Sequence, residues 1–75
     1  MSERSAPEKI IKYGLITNAL PNTTFKVAID EIDGEVLAHL SGKMRLHRIK
    51  VMVGDRVKLE LDNYNQARGR IIQRL

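Results

Sequence analysis

The sequence predicts an all-β domain, a closed five-stranded barrel with a short helix between its third and fourth strands. Three observations carry that expectation. Apolar and polar residues alternate with period two through several short stretches, and period two is the spacing of a strand with one buried face. Turn chemistry separates those stretches at Pro21-Asn22, Asp33-Gly34 and Gly54-Asp55. The chain has 75 residues and no cysteine, so neither disulfides nor thiolate zinc can staple it. A domain of this size buries only about 60–65% of its unfolded surface, so its core must be compact. Closing the sheet removes the open edges that an antiparallel sheet would otherwise expose.

Residues 1–9 are polar, charged and interrupted by Pro7; they read as a flexible arm, with the domain over residues 10–75. In residues 10–20 the apolar residues Ile11, Tyr13 and Leu15 take odd positions, with Lys12, Gly14 and Asn18 between them and Ile16 as the exception. The expected first strand therefore packs Tyr13, and Gly14 marks a bulge or sharp bend. Pro21, Asn22 and Thr23 make a turn in which Asn tolerates the left-handed region. Phe25, Val27 and Ile29 then alternate with Lys26, Ala28 and Asp30, a second strand with Phe25 in the core. Asp33-Gly34 is a hairpin signal, and Val36, Ala38 and Leu40 form the inward set of a third strand. Ser41 is placed to cap a helix running from Gly42 to about Arg48, with Met44 and Ile49 turned inward and Arg45 and Arg48 on one face. Val57, Leu59 and Leu61 alternate cleanly with Arg56, Lys58 and Glu60 in the fourth strand. A polar loop over residues 62–68 leads to a fifth strand over residues 69–74.

A five-stranded Greek-key barrel of this length is the OB-fold, whose strand 2–3 face and flanking loops bind nucleic acid or sugar. An SH3-like barrel matches the strand count, but the helix after the third strand favours the OB-fold.

Charge is distributed unevenly. Residues 1–37 carry four Lys/Arg against six Asp/Glu, while residues 38–75 carry nine against three. Such a one-sided basic half is the electrostatic footprint of a polyanion binder. The candidate RNA-binding residues fall in two groups. Lys43, Arg45, Arg48 and Lys50 crowd the connector after the third strand, and Arg68, Arg70 and Arg74 follow the last loop. Arginine forks suit bidentate phosphate contacts, and in a closed barrel both groups approach one side. Tyr64, in the middle of the last loop, either stacks on a base or folds back over the barrel rim.

Other chemistries find little support. His39 and His47 have no third ligand type spaced around them. The acids at positions 30, 31, 33 and 35 do not follow the spacing of a calcium loop. Ser41 has no evident base partner, and Gly42-Lys43 lacks the remaining residues of a phosphate loop. The expectation is no enzyme, no metal and no cofactor. The N-terminus has no apolar signal region, and no stretch approaches the ~20 apolar residues of a membrane span. Only Tyr13, Phe25 and Tyr64 are aromatic, too few for a general single-strand binder with several stacking platforms. A structured RNA, read by shape and phosphate position, fits better.

Four blocks then carry a resemblance. Residues Leu20-Pro21-Asn22-Thr23-Thr24-Phe25-Lys26-Val27, Ala38-His39-Leu40-Ser41-Gly42-Lys43-Met44-Arg45, Gly54-Asp55-Arg56-Val57 and Gly69-Arg70-Ile71 resemble, in order and spacing, bacterial-type translation initiation factor 1. The resemblance implies an OB-fold protein that binds the small ribosomal subunit at the aminoacyl-tRNA site, contacting its rRNA and a neighbouring ribosomal protein. It implies action with the other initiation factors and a block to premature tRNA entry, by a monomer in the cytoplasm or the plastid stroma. Lys43, Arg45, Tyr64, Arg68, Gly69 and Arg70 match the family pattern directly, and Lys50 stands where an arginine is usual. Leu46, His47 and Arg48 depart from the usual Lys, Asn and Tyr, and Asn63 and Asn65 replace Pro and Asp around Tyr64. The alternatives are a general RNA chaperone of cold-shock type, and a small protein-interaction barrel with a basic face.

Overall fold

The computed structural model describes residues 10–31, 34–62 and 67–75. They form β1 (Ile10–Ala19), β2 (Thr24–Ile29), β3 (Glu35–Leu40), α1 (Gly42–Leu46), β4 (Arg56–Leu61) and β5 (Arg68–Arg74). The strands close into a barrel in the order β1-β2-β3-β5-β4, so the expected barrel and its helix are both present. Every pairing is antiparallel except β3 with β5. Parallel neighbours need a long crossover, and α1, its connector and β4 supply that path.

The core follows the alternation of β2, β3 and β4. Val27, Val57, Leu59 and Ile71 have no exposed surface, and Phe25, Ile29, Val36, Ala38 and Leu61 join them. Burying such a side chain contributes about 1.5–3 kcal/mol, which is where a chain without cross-links finds its stability. Met44, from α1, is 1% exposed and packs into the same cluster. Val51 is the second inward residue of the connector, whereas Ile49, expected inward, is 38% exposed.

β1 corrects the sequence reading. Its buried positions are Gly14 and Ile16, and Ile11, Tyr13 and Leu15 are 39%, 43% and 39% exposed on the outer face. Tyr13 is therefore not a core residue. Apolar residues occupy both phases of this strand, so alternation alone could not assign its faces. What decides is space. A Cβ on Gly14 would lie 2.6 Å from the Ala28 carbonyl oxygen and 2.7 Å from Val27 Cγ1, so only glycine lets β2 pass this close on the inner side. Nor does Gly14 form a bulge. The register shift falls between Ile16 and Asn18, where the Thr17 hydroxyl donates to the Lys26 carbonyl. Gly14→Ala is expected to destabilise the domain by about 1–3 kcal/mol, because backbone has to move; chemical denaturation measures it, and an unchanged midpoint would contradict the close approach.

Two further differences have local causes. In the turn before β2 it is Thr23, with φ 61°, that takes the left-handed region, not Asn22. The helix ends at Leu46, two residues early, because Arg48 adopts φ 55°. The Arg48 and Ile49 amides donate back to the Arg45 and Met44 carbonyls at 3.1 and 2.9 Å. That is the Schellman pattern, in which the left-handed residue is usually glycine.

Candidate nucleic-acid interface

The basic connector is held in place by its polar ends. Ser41, 7% exposed, accepts from the Met44 amide with its Oγ at 3.2 Å, and its own amide donates to the Ile71 carbonyl at 2.9 Å. One bond caps α1 and the other ties it to β5. With Met44 buried, Lys43 and Arg45 are left exposed. Beyond the Schellman turn the chain is stapled again: the Asp55 carboxylate accepts from the Met52 amide at 2.8 Å, and the Gly54 amide donates to the Ile16 carbonyl at 2.8 Å.

The two basic groups meet along β5. Its parallel register sets Arg68 beside Leu37, Arg70 beside His39 and Ile71 beside Leu40, directly before the Ser41 cap. At the other end of the strand, Arg74 Nη1 donates to the Lys50 carbonyl at 3.2 Å. β5 thus runs from one group to the other, and Lys43, Arg45, Arg48, Lys50, Arg68, Arg70 and Arg74 are all exposed. Two of them are engaged within the molecule. Arg74 braces the connector, and Arg70 Nη2 lies 2.5 Å from Glu60 Oε1 on β4. Tyr64 lies outside the described residues. Arg45 and Arg48 do not share a helical face, since Arg48 has left the helix.

They are brought together differently, by an open groove of about 460 Å³ between the connector and the barrel rim. Phe25, Leu40, Ile49, Val51 and Met52 give it apolar walls, and Arg45, Arg48 and Lys50 add the cations. The sequence reading missed this groove. Its signal was an apolar run from Val51 to Val53 that belonged to no strand, set beside three basic residues. His39 lies on the surface, as the sequence reading has it. It is exposed between Thr24 and Arg70, as its outward phase in β3 indicated.

Arg48→Gly is expected to separate the two demands on this turn. A non-glycine residue in the left-handed region costs roughly 1–2 kcal/mol, so the variant should be more stable in thermal melting while losing one cation from the groove. Equal or lower stability would mean that the turn is not strained.

Among the described residues no group of His, Cys, Asp or Glu could hold a metal ion, and no helix is long and apolar enough to cross a membrane. The exposed residues of the connector place cations around an apolar groove. Comparison with known proteins bears on the family. The family model described as Translation initiation factor 1A / IF-1 matches residues 2–75. The chain is 47% identical over 70 residues to Translation initiation factor IF-1, chloroplastic, of Illicium oligandrum, covering 91% of this chain and 88% of that protein. It is 47% identical over 68 residues to the protein of the same name from Phalaenopsis aphrodite subsp. formosana, covering 91% and 87%. The solution structure of the translation initiation factor IF-1 from the wolbachia endosymbiont strain TRS of Brugia malayi superposes with a TM-score of 0.75 at 39% identity, over 89% of this chain and 78% of that one. YjeQ from Thermotoga maritima superposes with a TM-score of 0.74 at 30% identity, but the match covers 88% of this chain and only 23% of YjeQ. The barrel, its helix and these likenesses together establish that the chain belongs to the translation initiation factor 1A/IF-1 family.

Proposed function

We propose that this protein binds the small ribosomal subunit at the aminoacyl-tRNA site through its rRNA, acts there with the other initiation factors, and blocks premature tRNA entry. The observation that carries this reading is the placement of Lys43, Arg45 and Arg48 outward on an anchored turn, continuous along β5 with Arg68 and Arg70. The mechanism is occupancy. Arginine and lysine neutralise phosphates while a closed barrel, which has no free edge to yield, fills the site. The groove between the connector and Phe25 suits an unstacked base, with its ring on apolar walls and its phosphate on the rim cations. Lys50 and Arg74 contribute charge beside that groove, and Tyr64 belongs to the same reading as a loop ring. No catalytic group is involved, and the protein acts as a monomer. Its place of work is where bacterial-type ribosomes initiate, the cytoplasm or the plastid stroma; the relatives named chloroplastic support the plastid.

The test is affinity for purified small subunits as a function of salt. Each neutralised phosphate contributes a slope of about −0.7 to −0.9 in log K against log salt. With four or five phosphates engaged, binding should fall on the order of 10²-fold for a fourfold rise in salt. A nearly flat profile would sink the electrostatic mechanism. Competition by aminoacyl-site ligands tests the location, and equal affinity for unstructured oligonucleotides would favour the cold-shock alternative.

A further inference from the structure

The basic half of the chain, residues 38–75, holds three acids, Asp55, Glu60 and Asp62. On a surface that meets phosphates an acid costs affinity through like-charge repulsion, so each one needs a compensating role. Glu60 has one in its pair with Arg70. Asp55 makes no ion pair among the described residues, although it lies three residues from Met52, in the wall of the groove. Its carboxylate is turned onto the backbone of that wall instead.

Asp55 holds both backbone groups of Met52. Its Oδ2 accepts from the Met52 amide at 2.8 Å, and its own amide donates to the Met52 carbonyl at 3.0 Å. Gly54, with φ 98°, supplies the left-handed residue of the turn between them. That turn is fixed to the core. Ile16, with no exposed surface, donates its amide to the Asp55 carbonyl at 3.0 Å and accepts from the Gly54 amide at 2.8 Å. At the other end of the wall Arg74 donates to the Lys50 carbonyl, and Val51 between them is 8% exposed. The wall from Lys50 to Met52 belongs to no helix or strand, so one inward side chain and two side-chain bonds to its backbone fix it. Met52 is itself 67% exposed and brings little anchorage of its own.

We infer that Asp55 is a positioning residue for RNA binding: through the Met52 amide it holds the groove wall, and with it Lys50, in the form that receives RNA. The inference rests on the RNA reading of that groove. Asp55 acts through the wall and needs no contact with RNA. A wall fixed beforehand leaves less to be ordered on binding, and ordering is a cost that affinity carries. Charge and position make opposite demands here. As a bare charge Asp55 repels phosphates, so its removal would tighten binding. As the acceptor for the Met52 amide it favours binding, so its removal weakens it.

Asp55→Ala and Asp55→Asn remove the same charge, but the carboxamide keeps an oxygen that accepts a hydrogen bond. Affinity for purified small ribosomal subunits is measured for both, at a temperature where circular dichroism finds each folded. Asp55→Ala is expected to bind about tenfold more weakly, the cost of ordering the freed wall on contact, and to melt about 4–8 °C lower, as loss of one capping bond does in a domain of this size. Asp55→Asn is expected to bind at least as tightly as the parent. The carbon-13 signals of the methionine methyl groups give a reading that does not depend on affinity. Asp55→Ala should move or broaden the signal of Met52 and leave that of buried Met44 unchanged. If the two variants change affinity alike, in either direction, or if the Met52 signal stays where it was, the positioning role is overturned. The asparagine variant also tests it alone, since weaker binding than the parent would contradict it. Arg45→Ala is the control for the underlying RNA reading. If that variant weakens binding and Asp55→Ala does not, the positioning role fails and the RNA reading stands. If neither changes binding, both fail.

Discussion

Met44→Ala is expected to lower stability by about 2–5 kcal/mol and to weaken small-subunit binding beyond what unfolding explains. Met44 is 1% exposed and the one buried residue of α1. A five-residue helix cannot sustain itself in water, because nucleation fixes several residues for each early hydrogen bond. The Ser41 cap and the Arg48 turn close its ends, but the methionine is what binds it to the barrel. Without that anchor Lys43 and Arg45 lose their fixed position, and a cation that must be ordered on binding contributes less. Denaturation supplies the stability change, and binding measured where the variant remains folded supplies the rest. Leu46→Ala is the comparison. Leu46 is 77% exposed on the same helix, and its loss should change stability by less than about 0.5 kcal/mol. A folded Met44→Ala variant with full affinity would show that the helix need not be held.

What the sequence made legible follows from how many faces each segment leaves apolar. In β4, Val57, Leu59 and Leu61 alternate with charged residues, so the inner face was readable without a structure, as it was for Phe25, Val27 and Ile29. In β1 apolar residues stand on both faces, and the assignment depends on the passage of Val27 and Ala28 over Gly14, a contact distant in sequence. The helix end was misread for the opposite reason. A glycine would have announced the left-handed residue, and an arginine holds it instead. The basic residues were visible as charge, but their partners were not. That Arg70 lies against Glu60 and Arg74 against the Lys50 carbonyl is a consequence of strand register, which no local pattern specifies. The groove likewise needed the connector to fold back towards Phe25 and Leu40.

Arg45→Ala and Arg70→Ala are each expected to weaken small-subunit binding by about 1.5–3 kcal/mol, the usual worth of a hydrogen bond to a charged group. The two variants are predicted to differ in everything else. Arg45 is exposed on α1 and makes no ion pair among the described residues, so its loss should leave stability within about 0.5 kcal/mol of the parent. Arg70 is 45% exposed at its side chain and lies on the Glu60 carboxylate. Removing it takes away a part-exposed ion pair, for which a loss of about 0–1 kcal/mol is typical, still smaller than the binding effect. Each should also flatten the salt dependence by roughly one phosphate's share, about 0.7 to 0.9 in slope. Glu60→Gln probes the internal pair: it keeps the arginine and removes the carboxylate's charge, so binding should hold or improve while the Arg70→Ala loss remains. If Arg70→Ala reduced stability and left both affinity and salt slope unchanged, Arg70 would be a brace between β4 and β5, and the RNA surface would contract to the connector and Arg68.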